Sequence, residues 1–205
     1  MRSPLNRWIG KLAVASFVTS AALAVLVAPA AEAATVVPCT TRSTITPFKS
    51  WNDTNAYFTA PGGSFEGGAT GWTLGNASVV SGNEPWKILA GTDATSLKIS
   101  GGGTASTQPM CIATSEDSMR VFYKAPGDSG SRLKITIHVT SGVNVADNNY
   151  EIWGGTSSWT LSERIMLPDI RDASGKQTVT ISFAQTGTAG IWQIDDLEID
   201  PWRSL

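Results

Sequence analysis

The chain has 205 residues, and 15 Lys and Arg against 17 Asp and Glu give it a formal charge of −2. The basic residues are scattered singly, which argues against a nucleic-acid binder that tracks a phosphate backbone. Plentiful Gly, Ser and Thr, eight Trp and few runs of strong helix formers match the profile of an extracellular β protein.

Residues 1–33 read as a signal peptide: Arg2, Arg7 and Lys11 make a basic start, Leu12 to Val27 is apolar, and Ala31-Glu32-Ala33 supplies the small residues of a cleavage site. Cleavage after Ala33 leaves 12 basic against 16 acidic residues, a formal charge of −4. The apolar run is short for a bilayer span and nothing later is long enough, so a secreted protein with no membrane insertion is expected. Residues 34–61 form an irregular strap carrying Pro38, Cys39, Pro47, Phe48 and Trp51, the two aromatics lying against the domain. Cys39 and Cys111 are the only cysteines. An isolated pair in an exported chain points to a disulfide, and with His138 as the only imidazole the spacing matches no zinc site.

Residues 62–205 carry the strands. Phe65 and Glu66 suggest a short one before a Gly67-Gly68 turn, Trp72 reads as core, and Asn76 to Val80 suggests another. Leu97 and Ile99 alternate with Lys98 before Gly101-Gly102-Gly103, and Met119 to Lys124 alternates before Pro126-Gly127. Leu133 to Thr140 is apolar on odd numbers and polar on even ones, the pattern of a strand with one face on a core. Ile165 to Leu167, Val179 to Phe183 and Ile191 to Asp200 complete the set. Frequent turn signals and no helical period indicate an all-β fold, a single antiparallel jelly-roll β-sandwich.

The last run carries Asp195-Asp196 between apolar residues, and simple alternation places Asp195 on the face of Leu197 and Ile199, pointing inward. An inward carboxylate needs a cation or donors. Glu66, flanked by glycines that let carbonyls approach, is the co-ligand that makes a calcium-type oxygen site with Asp195, with Asp196 and Asp200 in reserve.

Sugar rings stack their C–H faces on flat aromatics while their hydroxyls take hydrogen bonds. Trp153 and Trp159 bracket the polar, glycine-rich segment 154–158, Asn148, Asn149 and Tyr150 precede it, and Trp86 is a further candidate. Catalysis has less behind it. Gly127-Asp128-Ser129-Gly130 has the local look of a serine-protease nucleophile segment, but the only His, His138, follows it on the polar face of a strand, so the string reads as a hairpin turn. No acidic residues are spaced as a glycosidase pair.

Phe65-Glu66 with Gly71-Trp72, the Ser96-Leu97-Lys98-Ile99 strand and the terminal Ile194-Asp195-Asp196-Leu197 resemble the jelly-roll carbohydrate-binding modules of the galactose-binding-like type. The strand order over about 62–200 fits as well. The chain is also similar to small secreted actinobacterial proteins of no assigned activity that begin with a Cys-containing strap and end in an Asp-Pro tail. The resemblance implies a structural calcium on the residues matching Glu66 and Asp195, and a non-catalytic module that binds an extracellular or cell-wall polysaccharide. The strap and the disulfide are departures from the family pattern. A secreted structural or protein-interaction domain is the alternative, and a glycan hydrolase or lyase the third. Nothing in the residues sets an oligomeric state.

Overall fold

The computed structural model describes residues 35–40 and 42–200; the expected signal peptide at 1–33 and the tail at 201–205 lie outside the described residues. Eleven strands follow in chain order: β1 (Phe58–Thr59), β2 (Trp72–Ser81), β3 (Thr95–Thr107), β4 (Met110–Ile112), β5 (Ser118–Ala125), β6 (Ser131–Ser141), β7 (Asn144–Trp153), β8 (Thr156–Leu161), β9 (Ile165–Met166), β10 (Gln177–Gly187) and β11 (Trp192–Asp200). The one helical element among the described residues is a 3₁₀ turn at Lys49–Trp51.

The strands are antiparallel and run β7-β6-β10-β3-β11-β5-β8. The curl comes from β3, whose Leu97 to Ile99 pair with β11 while Thr104 to Ser106 pair with β10. Its partner β2 follows it round through a register shift between Gly75 and Ala77. The result is two layers, a front sheet of β7, β6, β10 and the ends of β3 and β2, and a back sheet of their other ends with β11, β5 and β8. Leu133, Ile135, Ile137, Ile181 and Phe183 from the front meet Leu97, Met119, Val121, Ile194 and Ile199 from the back in one core. The odd-numbered residues of β6 are buried as their alternation predicts, and Trp72 is in the core. Trp192 is fully buried too, its indole N–H donating to Ser131 Oγ at 2.9 Å.

Three local expectations are corrected. Phe65 and Glu66 lie in consecutive tight turns, with Phe65 at φ 58°, because the glycines around them favour turns over extension. Asn76 to Val80 belongs to a ten-residue strand that begins at Trp72. The polar, glycine-rich segment 154–158 supplies only a turn at Gly154-Gly155 and the start of β8, which pairs with β5, and it follows a strand, β7, that pairs with β6. The Asn and Asp residues of β7 are poor strand formers that the solvated edge of a sheet tolerates. The Pro126 to Gly130 string is the turn joining β5 to β6, with Gly130 N donating to Asp128 Oδ1 at 2.7 Å.

The Cys39–Cys111 disulfide pins the strap to β4, beside a bridge from Val37 to Met110. Arg42 adds an ion pair to Glu116 at 2.6 Å and lies over the Phe58 ring. The closed loop spans 72 residues of separation. In the chain-entropy model, losing that cross-link costs about 4 kcal/mol. A Cys39→Ser/Cys111→Ser variant should therefore melt roughly 10 °C lower, measured by circular dichroism; an unchanged melt would mean that the strap is held by its packing alone.

Candidate functional site

The residues expected to bind sugar fall on two separate surfaces. Asn149, Tyr150 and Trp153 all sit on β7, the edge strand of the front sheet. In the β6–β7 register Arg132 faces Trp153, Lys134 faces Glu151, Thr136 faces Asn149 and His138 faces Asp147. These are the solvent-facing positions, since the odd-numbered residues of β6 are in the core. Trp153 is 58 % exposed, and the Arg132 guanidinium lies 3.9 Å from its ring centroid and pairs with Glu151 at 3.5 Å. Thr136 donates to Asn149 Oδ1 at 2.9 Å, and His138 Nδ1 lies 2.7 Å from Asp147 Oδ1.

The alternate residues of β7 turn the other way. Tyr150 and Ile152 join Tyr123, Trp153, Glu163 and Arg164 around a groove of about 350 Å³ at the open flank of the sandwich. Tyr150 Oη donates to the Met166 carbonyl at 3.1 Å and accepts from Asn148 Nδ2 at 2.9 Å, which holds the ring in place. Trp153 lines this groove from the end of β7.

Trp86 and Trp159 belong instead to the outer face of the back sheet, where the strap lies. Phe48 and Tyr57 of the strap pack with Phe122 and Leu161 in a second apolar cluster, against which Trp51, Ile88 and Trp159 rest. Trp86 lies nearly parallel on Phe122, with centroids 5.2 Å apart and planes at 22°, and meets Trp51 edge-on. It remains 45 % exposed. Lys124 Nζ sits 4.7 Å from the Trp159 ring centroid. Trp153 and Trp159 therefore do not form one platform, because the chain passes from the front layer to the back layer between them.

Asp195 and Asp196 reach their places by a route that alternation did not predict, while Glu66 and Asp200 are held by other partners. Asp195 pairs with Phe122 in β5, and the register then shifts before Glu198 pairs with Arg120. Asp196 occupies this bulge at φ 47°. One inserted residue reverses parity, so Leu197 and Ile199 enter the core while Asp195 faces outward beneath residues 83–93. Asp195 is nonetheless fully buried, accepting from Glu84 N at 3.2 Å and from Asp196 N at 3.0 Å. Glu84, also buried, accepts from the amides of Trp86 and Ile88. Glu66 caps the start of β3, its Oε1 accepting from Ala94 N and Thr95 N at 2.9 and 2.7 Å. Asp200 is held with Asn55 and Arg164. Glu84 and Asp93 had no signature in the sequence, because they reach the bulge only through the folded 83–93 loop.

Burial, then the charges of Glu84 and Glu66, pushes the Asp195 carboxyl up to about 8. Burial together with Asp195, Glu198, Glu84 and Asp93 pushes Asp196 up to about 9, and burial pushes Glu198 up to about 8. Asp196 Oδ2 and Glu198 Oε2 are buried without a hydrogen-bond partner. Among the described residues no three His, Cys, Asp or Glu side chains stand together as a ready-made metal-ligand set. The orphaned oxygen of Asp196, in mutual repulsion with four other carboxylates, is nevertheless the kind of donor a hard cation satisfies.

No family model matches the chain. No curated protein matches it either. Solved structures do, and carbohydrate-binding modules stand among them, as the resemblance implied. A family 11 carbohydrate-binding module from Clostridium thermocellum, in complex with a β-1,3-1,4-mixed-linked tetrasaccharide, is 18 % identical over 69 % of this chain and 95 % of that one, with a TM-score of 0.43. A family 61 module in complex with β-1,4-galactotriose is 15 % identical over 69 % and 96 %, at 0.42. The enzymatically active domain of tailspike protein 4 of bacteriophage CBA120 is 17 % identical over 69 % of this chain and 21 % of that one, at 0.47. Identities this low carry no residue roles across.

Proposed function

We propose that the protein is a non-catalytic glycan-binding module that takes an extracellular or cell-wall polysaccharide along β7. The observation that carries this reading is the exposed Trp153, backed by Arg132, at the junction of a polar sheet face with the groove of Tyr150 and Arg164. An indole held by a cation on one side offers its remaining surface to a pyranose, and Asn149, Glu151 and Arg164 supply donors and acceptors for hydroxyls. The basic, apolar and Ala-Glu-Ala order of residues 1–33 and the disulfide support export.

A calcium ion at the β11 bulge belongs to the same proposal. Asp195 and Asp196 would hold it, with Glu66 at the rim and main-chain carbonyls completing the oxygen shell. It would supply charge neutralisation and hold β11 to the turns at 62–68.

The test is retention on insoluble polysaccharides and peptidoglycan. The native protein should be retained on at least one, and Trp153→Ala should lose retention by about tenfold or more while its melt stays within a degree or two. A collapsed melt would mark Trp153 as structural. A protein-interaction role has one observation in its favour: β7 is an edge strand whose start carries Val145, next to a nearly fully exposed Val143. Retention on no glycan, with association of the protein through β7, would replace the saccharide reading.

A further inference from the structure

The outer face of the back sheet carries a feature that the β7 site does not use. Beyond the edge of the strap, one row of side chains crosses the sheet. Lys124 faces Gln193, Gln193 faces Lys98 and Lys98 faces Ser78, in β5, β11, β3 and β2. Trp159 of β8 closes the row under Lys124. All point away from the core, because Ala125, Trp192, Ile194, Leu97 and Ile99 beside them point into it. The two lysines stand two strands apart, about 10 Å between main chains. Among the described residues no lysine has an ion-pair partner, Lys98 and Lys124 included, whereas Arg42, Arg120, Arg132, Arg164 and Arg171 all do. Along β5 from Lys124, on the same face, is Phe122, on which the exposed Trp86 lies flat.

We propose that this strip is a second saccharide surface and that it takes acidic sugar chains. The uncompensated ammonium groups of Lys98 and Lys124 meet the carboxylate or sulfate groups of successive sugars, Gln193 between them takes hydroxyls, and Trp159 and Trp86 offer the faces on which rings stack. Trp86 owes its position to Trp51 of the strap, so the strap builds this surface in part. The proposal shares with the β7 site the assumption that the protein binds glycans, but it rests on other residues and another class of sugar.

The experiment compares native protein, Lys98→Gln/Lys124→Gln and Trp153→Ala on four ligands: polygalacturonate, dextran sulfate, a neutral β-glucan and inorganic polyphosphate. The native protein should bind at least one of the two acidic polysaccharides, the two arms separating carboxylate from sulfate. The double lysine variant should lose at least about tenfold in that affinity with an unchanged melt, and Trp153→Ala should leave it intact. Trp86→Ala should weaken the same binding and leave the neutral glucan untouched. Acidic-glycan binding that ignores the lysines, or polyphosphate bound as tightly as the saccharide, overturns the strip as a sugar site. Neutral-glucan binding lost in Trp153→Ala would then still stand for the β7 site, whereas retention on no saccharide at all overturns both.

Discussion

In EDTA the protein should melt at progressively lower temperature as the pH is raised from about 5 to about 9, and calcium should cancel that loss. Asp195, Asp196 and Glu198 hold their protons up to about 8, 9 and 8 in the folded state. In the unfolded chain the same carboxyls ionise near 4. Between those limits the native state binds more protons than the unfolded one, so stability falls as pH rises through the window and is highest at its acidic end. A cation at the bulge favours the ionised carboxylates and binds better as pH rises. The two melting curves should therefore nearly meet at pH about 5 and separate toward pH about 9. At calcium a hundredfold above its dissociation constant the gain is about 2.7 kcal/mol, or roughly 5–10 °C for a domain of this size. Asp196→Asn removes the carboxylate whose Oδ2 has no partner. In EDTA at pH about 8 it should melt above the native protein, and it should no longer respond to calcium. Identical melts in calcium and EDTA across the whole range would remove the cation site from the proposal.

Arg120→Met should destabilise the fold by about 2–4 kcal/mol, since it removes an ion pair, two hydrogen bonds to one carbonyl and a ring contact together. Arg120 pairs with Asp53 of the strap at 3.0 Å, donates twice to the Ser162 carbonyl and lies over the Phe48 ring. Burial alone pushes the Asp53 carboxyl up, but hydrogen bonds from Tyr57, Asn55 and Arg120 and the charge of Arg164 outweigh it, and the group ends below its ordinary value. Its contribution is thus present at neutral pH and is lost only as pH falls through that lowered value. Removing Arg120 leaves the half-buried Asp53 carboxylate with Tyr57, Asn55 and the more distant Arg164 alone, and takes both donors from the Ser162 carbonyl, which is why the single variant suffers more than the size of one ion pair suggests. Asp53→Asn/Arg120→Met should recover part of the loss in a double-mutant cycle read by thermal melts. Tryptophan emission should shift to the red in the single variant as Trp51 and Trp86 gain solvent. A melt within about a degree of native would show that the disulfide and the apolar cluster hold the strap without this pair.

Much of the fold is written in local pattern. Leu133 to Thr140 reads as a half-buried strand, Pro126 to Gly130 as a turn, and Cys39 with Cys111 as a cross-linked pair. Trp72 beside Gly71 was legible as core for the same reason, a large apolar group at a strand start. β7 was not legible, because Asn144, Asp147, Asn148 and Asn149 have the composition of a loop and become a strand only by pairing with β6. With it went the placing of Asn149, Tyr150 and Trp153 along one edge strand, although each residue was singled out on its own chemistry.

By itself the sequence determined the class of fold, the disulfide, and which aromatics and acids were available, since these follow from side-chain alternation, turn chemistry and composition along short stretches. Only the tertiary structure decided how they are grouped. The separation of Trp153 from Trp159 depends on which layer each strand joins. The position of Asp195 depends on one inserted residue in a ladder with β5, which reverses every later side chain. The cluster of Asp195 and Asp196 with Glu84 and Asp93 forms because the folded 83–93 loop packs over β11. Pairing partners, bulges and loop packing are set by contacts between residues far apart in the chain, and no local period records them.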